Sequence, residues 1–403
     1  MPTLRVALFI EPASAYSRAL LGGVAEYVKR HGPWSVHLPQ RGSDDQFGKQ
    51  LLAWDGDGII VWAENRTTAA AVQALRIPTV DVCPAGLLPE APTIHSDTRA
   101  EAQLAFEHFW DRGFRHFAFC GVIDQTGMRE RHESFRATAE AMGASVEAIV
   151  RPLAFHRAAD CAADRAALST WLRALPKPVG ILACCDARGQ QVLDACRATG
   201  LRVPDDVGVI GVENDAVRCE LSDPPLSSVA PDAHRIGYSA AELLTRMMNG
   251  DATKPGPHLV APLGVVARRS TDSLAVADPD VELALRFIRE NLHRPIDVGE
   301  ILDRVQVSRR TLENRFLEHV GRTPHAELTR CRVECAKKLL RETTLPIKAI
   351  AGRVGVGSPE YLSVLFKRVL GTTPSAYRRA QYAPSATSLA RRAIPRLAMT
   401  SSR

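Results

Sequence analysis

Two short runs of side chains able to read a nucleic acid lie in the last third of the 403-residue chain. Ser308 is followed by Arg309, Arg310, Thr311, Asn314 and Arg315, and Ser358 by Glu360, Tyr361, Ser363 and Lys367. Guanidinium forks, amides and hydroxyls are the groups that bond base edges and phosphate oxygens of a duplex. A serine directly ahead of a helical run is an N-cap, because its side-chain oxygen satisfies an open backbone N–H of the first turn. Each run therefore reads as the exposed face of a helix with a rigid start. Other chemistry finds less footing. Nine cysteines are scattered without a CxxC pair, so no metal site is expected, and their odd number suits reduced, buried thiols. Neither GxGxxG, GxxxxGK[ST] nor GxSxG occurs, and no His/Asp/Ser set is placed for catalysis, so the chain is expected to have neither enzyme activity nor a cofactor.

The elements that must carry these runs are written twice. Leu312, Phe316, Gly321 and Pro324 recur fifty residues later as Leu362, Phe366, Gly371 and Pro374, and Arg304-Val305 with Val307 recur as Arg353-Val354 with Val356. In each copy an apolar helix (298–305; 347–354) is expected to pack on a second one (309–319; 359–370). The turns between them are Gln306-Val307-Ser308 and Gly355-Val356-Gly357-Ser358. Leu312, Phe316, Leu362 and Phe366 then face the core, and the reading residues face outward. An amphipathic helix over 326–340 is expected to hold the two helix-turn-helix units about 34 Å apart, one turn of DNA. A generic helical bundle is the plain alternative; the duplication, the capped helices and the local charge weigh against it together.

That charge is uneven. The net value of +6 combines residues 1–279, with 28 Lys and Arg against 33 Asp and Glu, and residues 280–403, with 23 against 12. A basic domain on an acidic chain suits a phosphate backbone, although a solvated basic face has the same composition. Hydrophobic residues at 45% and charged residues at 24% are ordinary for a globular protein. No apolar run approaches the roughly 18 residues of a membrane span. The opening Val6–Ile10 runs straight into Glu11 and reads as a strand rather than a secretory signal, so a cytoplasmic protein is expected.

Upstream of residue 270, short apolar runs at 4–10, 34–38, 58–62, 78–82, 114–120, 180–184 and 207–212 alternate with helical stretches such as 15–30, 99–112 and 187–199. Continuous rather than alternating apolar runs predict parallel strands covered on both faces. Ligands of such sheets sit at the carboxyl ends of the strands. The polar stretch ending in Pro279 predicts a linker over 271–280 after a domain over 1–270. A helical domain over 281–379 follows, with a disordered tail over 380–403 rich in Ser, Pro, Ala and Arg.

Residues 296–379 resemble the DNA-binding domain of the AraC-type regulators. The resemblance is carried by Ser308 with Leu312 and Phe316, Gly321-Arg-Thr-Pro324, Arg332-Val-Glu-Cys-Ala-Lys-Lys-Leu-Leu340, Ile347-Lys-Ala-Ile-Ala351 and Gly371-Thr-Thr-Pro-Ser-Ala-Tyr-Arg378. Two departures lie in the second motif: Val356 stands at a usually aromatic position, and Pro359 opens the second helix, where a first-turn proline is tolerated. Residues 4–270 resemble a LacI/GalR-type, periplasmic-binding-protein-like sensor. The pieces here are Gly56-Asp-Gly-Ile-Ile-Val61, Ile77-Pro-Thr-Val80, the Asp97 turn, His116-Phe-Ala-Phe-Cys-Gly121, Arg131-His-Glu-Ser-Phe135, Cys185-Asp-Ala-Arg188 and Val203-Pro-Asp-Asp-Val-Gly-Val-Ile-Gly211.

The two resemblances imply a two-lobed α/β, type I periplasmic-binding-protein-like sensor followed by an all-α domain with two helix-turn-helix motifs. They imply a cytoplasmic, sugar-responsive transcriptional regulator, an activator of pentose catabolism. Its partners would be a double-stranded DNA operator, a monosaccharide effector (a pentose such as xylose), a second copy in a homodimer formed through the sensor, and RNA polymerase. The effector ligands implied are Tyr16, Arg131, Asp186, Glu213 and Asn214, each of which also has an ordinary structural use as cap, loop residue or ion-pair partner. Glu213 stands where the family usually has Asp. Trp34, Trp54 and Trp62 are candidates to stack on a sugar, with core packing as the alternative. A non-regulatory carbohydrate-binding protein and an α/β enzyme are the other readings, and the duplicated DNA reader counts against both.

Overall fold

The computed structural model describes residues 3–39, 49–122, 127–151, 158–251, 253–272 and 278–382. The chain forms two compact units, Met1–Ala275 and Val276–Arg403. No helix among the described residues is long and apolar enough to cross a membrane.

The first unit has two lobes, each built on a six-stranded sheet. The first sheet has the order β11-β5-β4-β3-β1-β2, with β1 at Leu4–Phe9, β2 at Trp34–His37, β3 at Gly58–Val61, β4 at Thr79–Asp81, β5 at Pro92–Ser96 and β11 at Gly256–Val260, all parallel. The second has the order β12-β10-β9-β8-β6-β7, with β6 at His116–Val122, β7 at Val146–Arg151, β8 at Val179–Ala183, β9 at Val207–Val212, β10 at Ser227–Ala230 and β12 at Gly264–Val266. Only the β10–β12 pair in it is antiparallel. The chain passes between the lobes three times, after Ser96, after Ala230 and after Val260.

Successive residues of a strand point to opposite faces, and the buried clusters follow that period. In β1, Val6 and Leu8 pack under helices Ala15–His31 and Ala233–Met248, whereas Ala7 and Phe9 pack under helix Arg66–Leu75. In β6, Phe117 and Phe119 meet helices Thr98–Trp110 and Met128–Ala141, whereas Ala118 and Cys120 meet Ala158–Ala174 and Asp186–Thr199. Two-sided burial is what continuous apolar strands require. Five strands were not anticipated: β5, β7, β10, β11 and β12. The first and third, Pro-Thr-Ile-His-Ser and Ser-Ser-Val-Ala, are buried along their whole length despite polar composition.

The second unit is helical. Helices Val298–Val305, Arg309–Val320, Pro324–Glu342, Ile347–Arg353 and Pro359–Leu370 match the expected elements to within two residues at each end. Two further helices, Pro279–Glu290 and Pro374–Tyr382, flank them, the first opening inside the stretch expected to be linker and the second running into the expected tail. Asp278 caps the former through Asp280 and Val281 N–H groups. Ser270 and Thr271, at the start of the expected linker, are fully buried in the first unit. The rest of the linker, 273–277, and the tail beyond 382 lie outside the described residues.

The duplication extends to the caps. Gly321 and Gly371 end their helices with φ of 77° and 68°, and Thr323 and Thr373 then cap the helices that begin at Pro324 and Pro374.

Candidate functional site

Two implied effector residues, Arg131 and Glu213, gather at the carboxyl ends of the second sheet. Arg131, in helix Met128–Ala141, donates from Nε (3.0 Å) and Nη2 (2.6 Å) to Glu101 Oε2 and from Nη1 (2.9 Å) to the Cys184 carbonyl at the end of β8. Glu101 is 1% exposed and Arg131 12%. The other oxygen of Glu101 accepts the Ser96 hydroxyl at 2.5 Å, so the cluster reaches the first crossing between the lobes. Glu213, just beyond β9, is pushed well above the usual carboxylate range by burial and by the Cys185 and Asp186 charges, against the pull of Arg131. Burial, then the charges of Glu101 and Glu213, push the Tyr16 phenol up, which sets this first-lobe residue against the second-lobe cluster. Glu101 and Ser96 were missed in the sequence because a Glu in the first turn after an Asp cap reads as an ordinary helix start.

Asp186 opens the helix that follows β8, as expected, and its carboxyl is engaged within the protein. It is fully buried, and its oxygens accept the Ser228 hydroxyl (2.6 Å) and the Asp215 N–H (2.7 Å). Burial raises its pKa to about 6 against those hydrogen bonds. The side chain is a strut that holds the Glu213–Asp215 turn, in which Glu213 and Asn214 both adopt positive φ, 108° and 49°. Asn214 takes part in the same bracing: its N–H donates to Ser228 Oγ, and its Oδ1 accepts from Arg268 Nη2, both at 3.0 Å.

The three tryptophans separate by topology. Trp34 opens β2 and packs on Tyr27, whereas Trp54, ahead of β3, lies beneath Arg5 near the amino end of β1 and stacks at 5.4 Å on His37, which closes the short edge strand β2. Trp62 follows β3 directly, at the carboxyl ends, with its ring edge-on to Tyr16 at 5.9 Å. Packing explains the first two, and only Trp62 stands where a ligand would.

In the second unit, Ser308 Oγ accepts the Thr311 N–H and Ser358 Oγ the Tyr361 N–H, both at 3.1 Å, as capping requires. Arg309, Arg310 and Asn314 are exposed on the first reading helix and Glu360, Tyr361 and Lys367 on the second; Thr311 and Ser363 are half-buried. Arg309 shares an exposed ion pair with Glu313 one turn on, and Ser363 returns its hydroxyl to the Pro359 carbonyl. Arg315 departs from expectation. It pairs with Asp280 and, at 3.3 Å, with Asp278, so it ties its helix to Pro279–Glu290 instead of standing free for a phosphate. Val364, 55% exposed between Tyr361 and Lys367, was not anticipated, since an outward valine carries no polar signal.

The helix between the motifs does more than space them. Val333, Ala336 and Leu340 enter the core of the second motif with Ile350, Leu362 and Phe366. Val356, at the usually aromatic position, is buried in that same core. Arg332, on the same helix, donates to the carbonyls of Arg294 (3.2 Å) and Ile296 (2.9 Å), ahead of the first motif. One helix thus grips both motifs.

Two family descriptions match the chain: a periplasmic binding protein-like domain over residues 106–271 and a helix-turn-helix domain over residues 301–380. The chain is 34% identical over 388 residues to the Xylose operon regulatory protein of Escherichia coli (strain K12), covering 93% of this chain and 96% of that one. It is 30% identical over 385 residues to the protein of the same name from Haemophilus influenzae, covering 93% and 98%. A solved structure described as the xylose-binding transcription activator xylR matches with a TM-score of 0.61 at 31% identity, over 94% of this chain and 99% of that one.

Proposed function

Because the chain belongs to the family of xylose operon regulatory proteins, we propose that it binds D-xylose among Tyr16, Trp62, Arg131, Glu213 and Asn214 and passes that occupancy to its paired helix-turn-helix motifs. The chain is a sugar-responsive, DNA-binding transcriptional regulator, built as a two-lobed sensor followed by an all-helical reader. The observation that carries the sugar reading is the buried Arg131 cluster at the strand ends, with Tyr16 set against it from the other lobe. Arg131 offers fixed donors and Glu213 a carboxyl to the hydroxyls of a sugar, and the Tyr16–Trp62 pair offers ring surface to its C–H face.

A ligand that touches both lobes favours their closed arrangement, and it shifts the equilibrium only as far as its affinity differs between the two states. The exposed residues of helices Arg309–Val320 and Pro359–Leu370 then enter successive major grooves of a tandem operator. The regulator works as a homodimer in the cytoplasm, and activation proceeds through RNA polymerase. The test is calorimetry of the full chain against a pentose and hexose panel, with operator affinity measured by fluorescence anisotropy at each sugar level. D-Xylose is expected to bind and to change operator affinity; an operator affinity indifferent to every bound sugar would sink the coupling.

A further inference from the structure

A buried arginine at a ligand site is by default an oxyanion trap, since its planar fork matches carboxylate and phosphate. The Arg131 fork is already filled. Its Nε and Nη2 groups, the edge that would grip an oxyanion through two parallel bonds, both donate to one oxygen of Glu101, at 3.0 and 2.6 Å. Nη1 is held by the Cys184 carbonyl at 2.9 Å. Glu101 cannot swing away without loss, because it is 1% exposed and its other oxygen holds the Ser96 hydroxyl at 2.5 Å.

We infer that Glu101 is a specificity-determining residue, which makes the Arg131 site accept neutral sugars and reject their carboxylate and phosphate derivatives. The inference rests on the reading of this cluster as the effector site. An anion entering beside Arg131 finds the positive charge already cancelled by Glu101, in a pair too buried for water to make up the loss. A neutral polyol loses nothing by that cancellation: its hydroxyls accept from the remaining guanidinium N–H groups and meet the Glu213 carboxyl. Burial favours the uncharged form of Glu213, which both donates and accepts. The regulator would thereby report the free sugar and stay blind to its oxidised and phosphorylated products.

The test is calorimetry of the full chain with D-xylose, D-xylonate and D-xylose 5-phosphate, on wild type, Glu101→Gln and Ser96→Ala. Wild type is expected to prefer D-xylose over either anion by at least about 100-fold, and Glu101→Gln to narrow that ratio about tenfold or more by tightening on the anions. Ser96→Ala, which frees Glu101 to move, is expected to narrow it less. A general loss of packing would weaken all three ligands together, so tightening on the anions is the diagnostic change. Wild type that binds D-xylonate as tightly as D-xylose overturns the inference while leaving the effector site standing. So does a ratio unchanged in folded Glu101→Gln or, should that variant not fold, in Ser96→Ala. Wild type that binds none of the three overturns the effector reading and this inference with it.

Discussion

The carbonyl oxygen of Arg294 approaches Gly355 so closely that a Cβ on that glycine would lie 2.0 Å from it. Arg294 belongs to the turn that leads into the first helix-turn-helix, and Gly355 to the turn inside the second, so the approach to the first motif packs backbone to backbone on the turn of the second. Gly355 has φ of 63°. The matching residue of the first copy, Gln306, adopts a similar φ of 59° and is exposed, so a side chain is tolerated there and not here. With Arg332 bonded to the same Arg294 carbonyl, this contact fixes how the two reading helices are presented.

Gly355→Ala is accordingly expected to cost about 2–4 kcal/mol through overpacking and left-handed strain. It should also weaken binding to a two-site operator by about tenfold or more as the helices lose their set spacing. Gly357→Ala, at a glycine with open space around it, is the control and should change neither. Thermal melts and anisotropy on operators with altered half-site spacing measure both; equal effects from the two substitutions would refute the rigid-coupling account.

Arg310 and Arg315 lie on one helix and should fail differently. Arg310 is exposed, and Arg310→Ala is expected to lower operator affinity by about 1–3 kcal/mol if it bonds a base, or to reduce the log K against log salt slope by about one if it bonds a phosphate. Arg315→Ala removes the pairing with Asp278 and Asp280, so it should cost about 1 kcal/mol of stability and leave the salt slope alone.

Asp81 makes the stability of the sensor depend on pH. It is fully buried at the end of β4, with Oδ1 accepting the Ala63 and Cys83 N–H groups and Oδ2 unpartnered among the described residues. Burial, opposed by those hydrogen bonds, raises its pKa to about 7. Between the unfolded value near 4 and that figure, the native state keeps a proton that the unfolded chain has released, so unfolding free energy falls as pH rises through the window. Asp81→Asn retains the carbonyl acceptor and removes the charge. Urea melts at pH 5 and pH 8 should therefore show a smaller difference in the variant, with the gain in stability at pH 8; a difference as large as in wild type would contradict the assignment.

Trp62 should report the ligand and Trp54 should not. A sugar seated between the lobes changes the surroundings of a ring that follows β3 beside Tyr16 and leaves one held between Arg5 and His37 at the β2 edge of the sheet untouched. The emission change on adding D-xylose should vanish in Trp62→Phe and persist in Trp54→Phe. Trp62→Phe should also weaken the sugar by about tenfold or less, since an aromatic face remains.

The amino-acid sequence by itself determined the elements whose causes are local. Serine caps, a glycine that ends a helix and an apolar period of three to four act within a few residues, so the duplicated motifs and their reading faces were legible before any coordinates. Long apolar strands such as β1 and β9 declared their two-sided burial in the same way. The tertiary structure alone decided what depends on neighbours distant along the chain. β5 and β10 are polar in composition and become strands because others pair with them and cover them. Arg315, Asp186 and Arg131 have ordinary charged neighbours in sequence, but Asp280, Ser228 and Glu101, each at least thirty residues away, determine whether their polar groups are spent or free. Chain order carries no measure of that, because a side chain is available to a ligand only when folding has left its hydrogen-bonding groups without another partner.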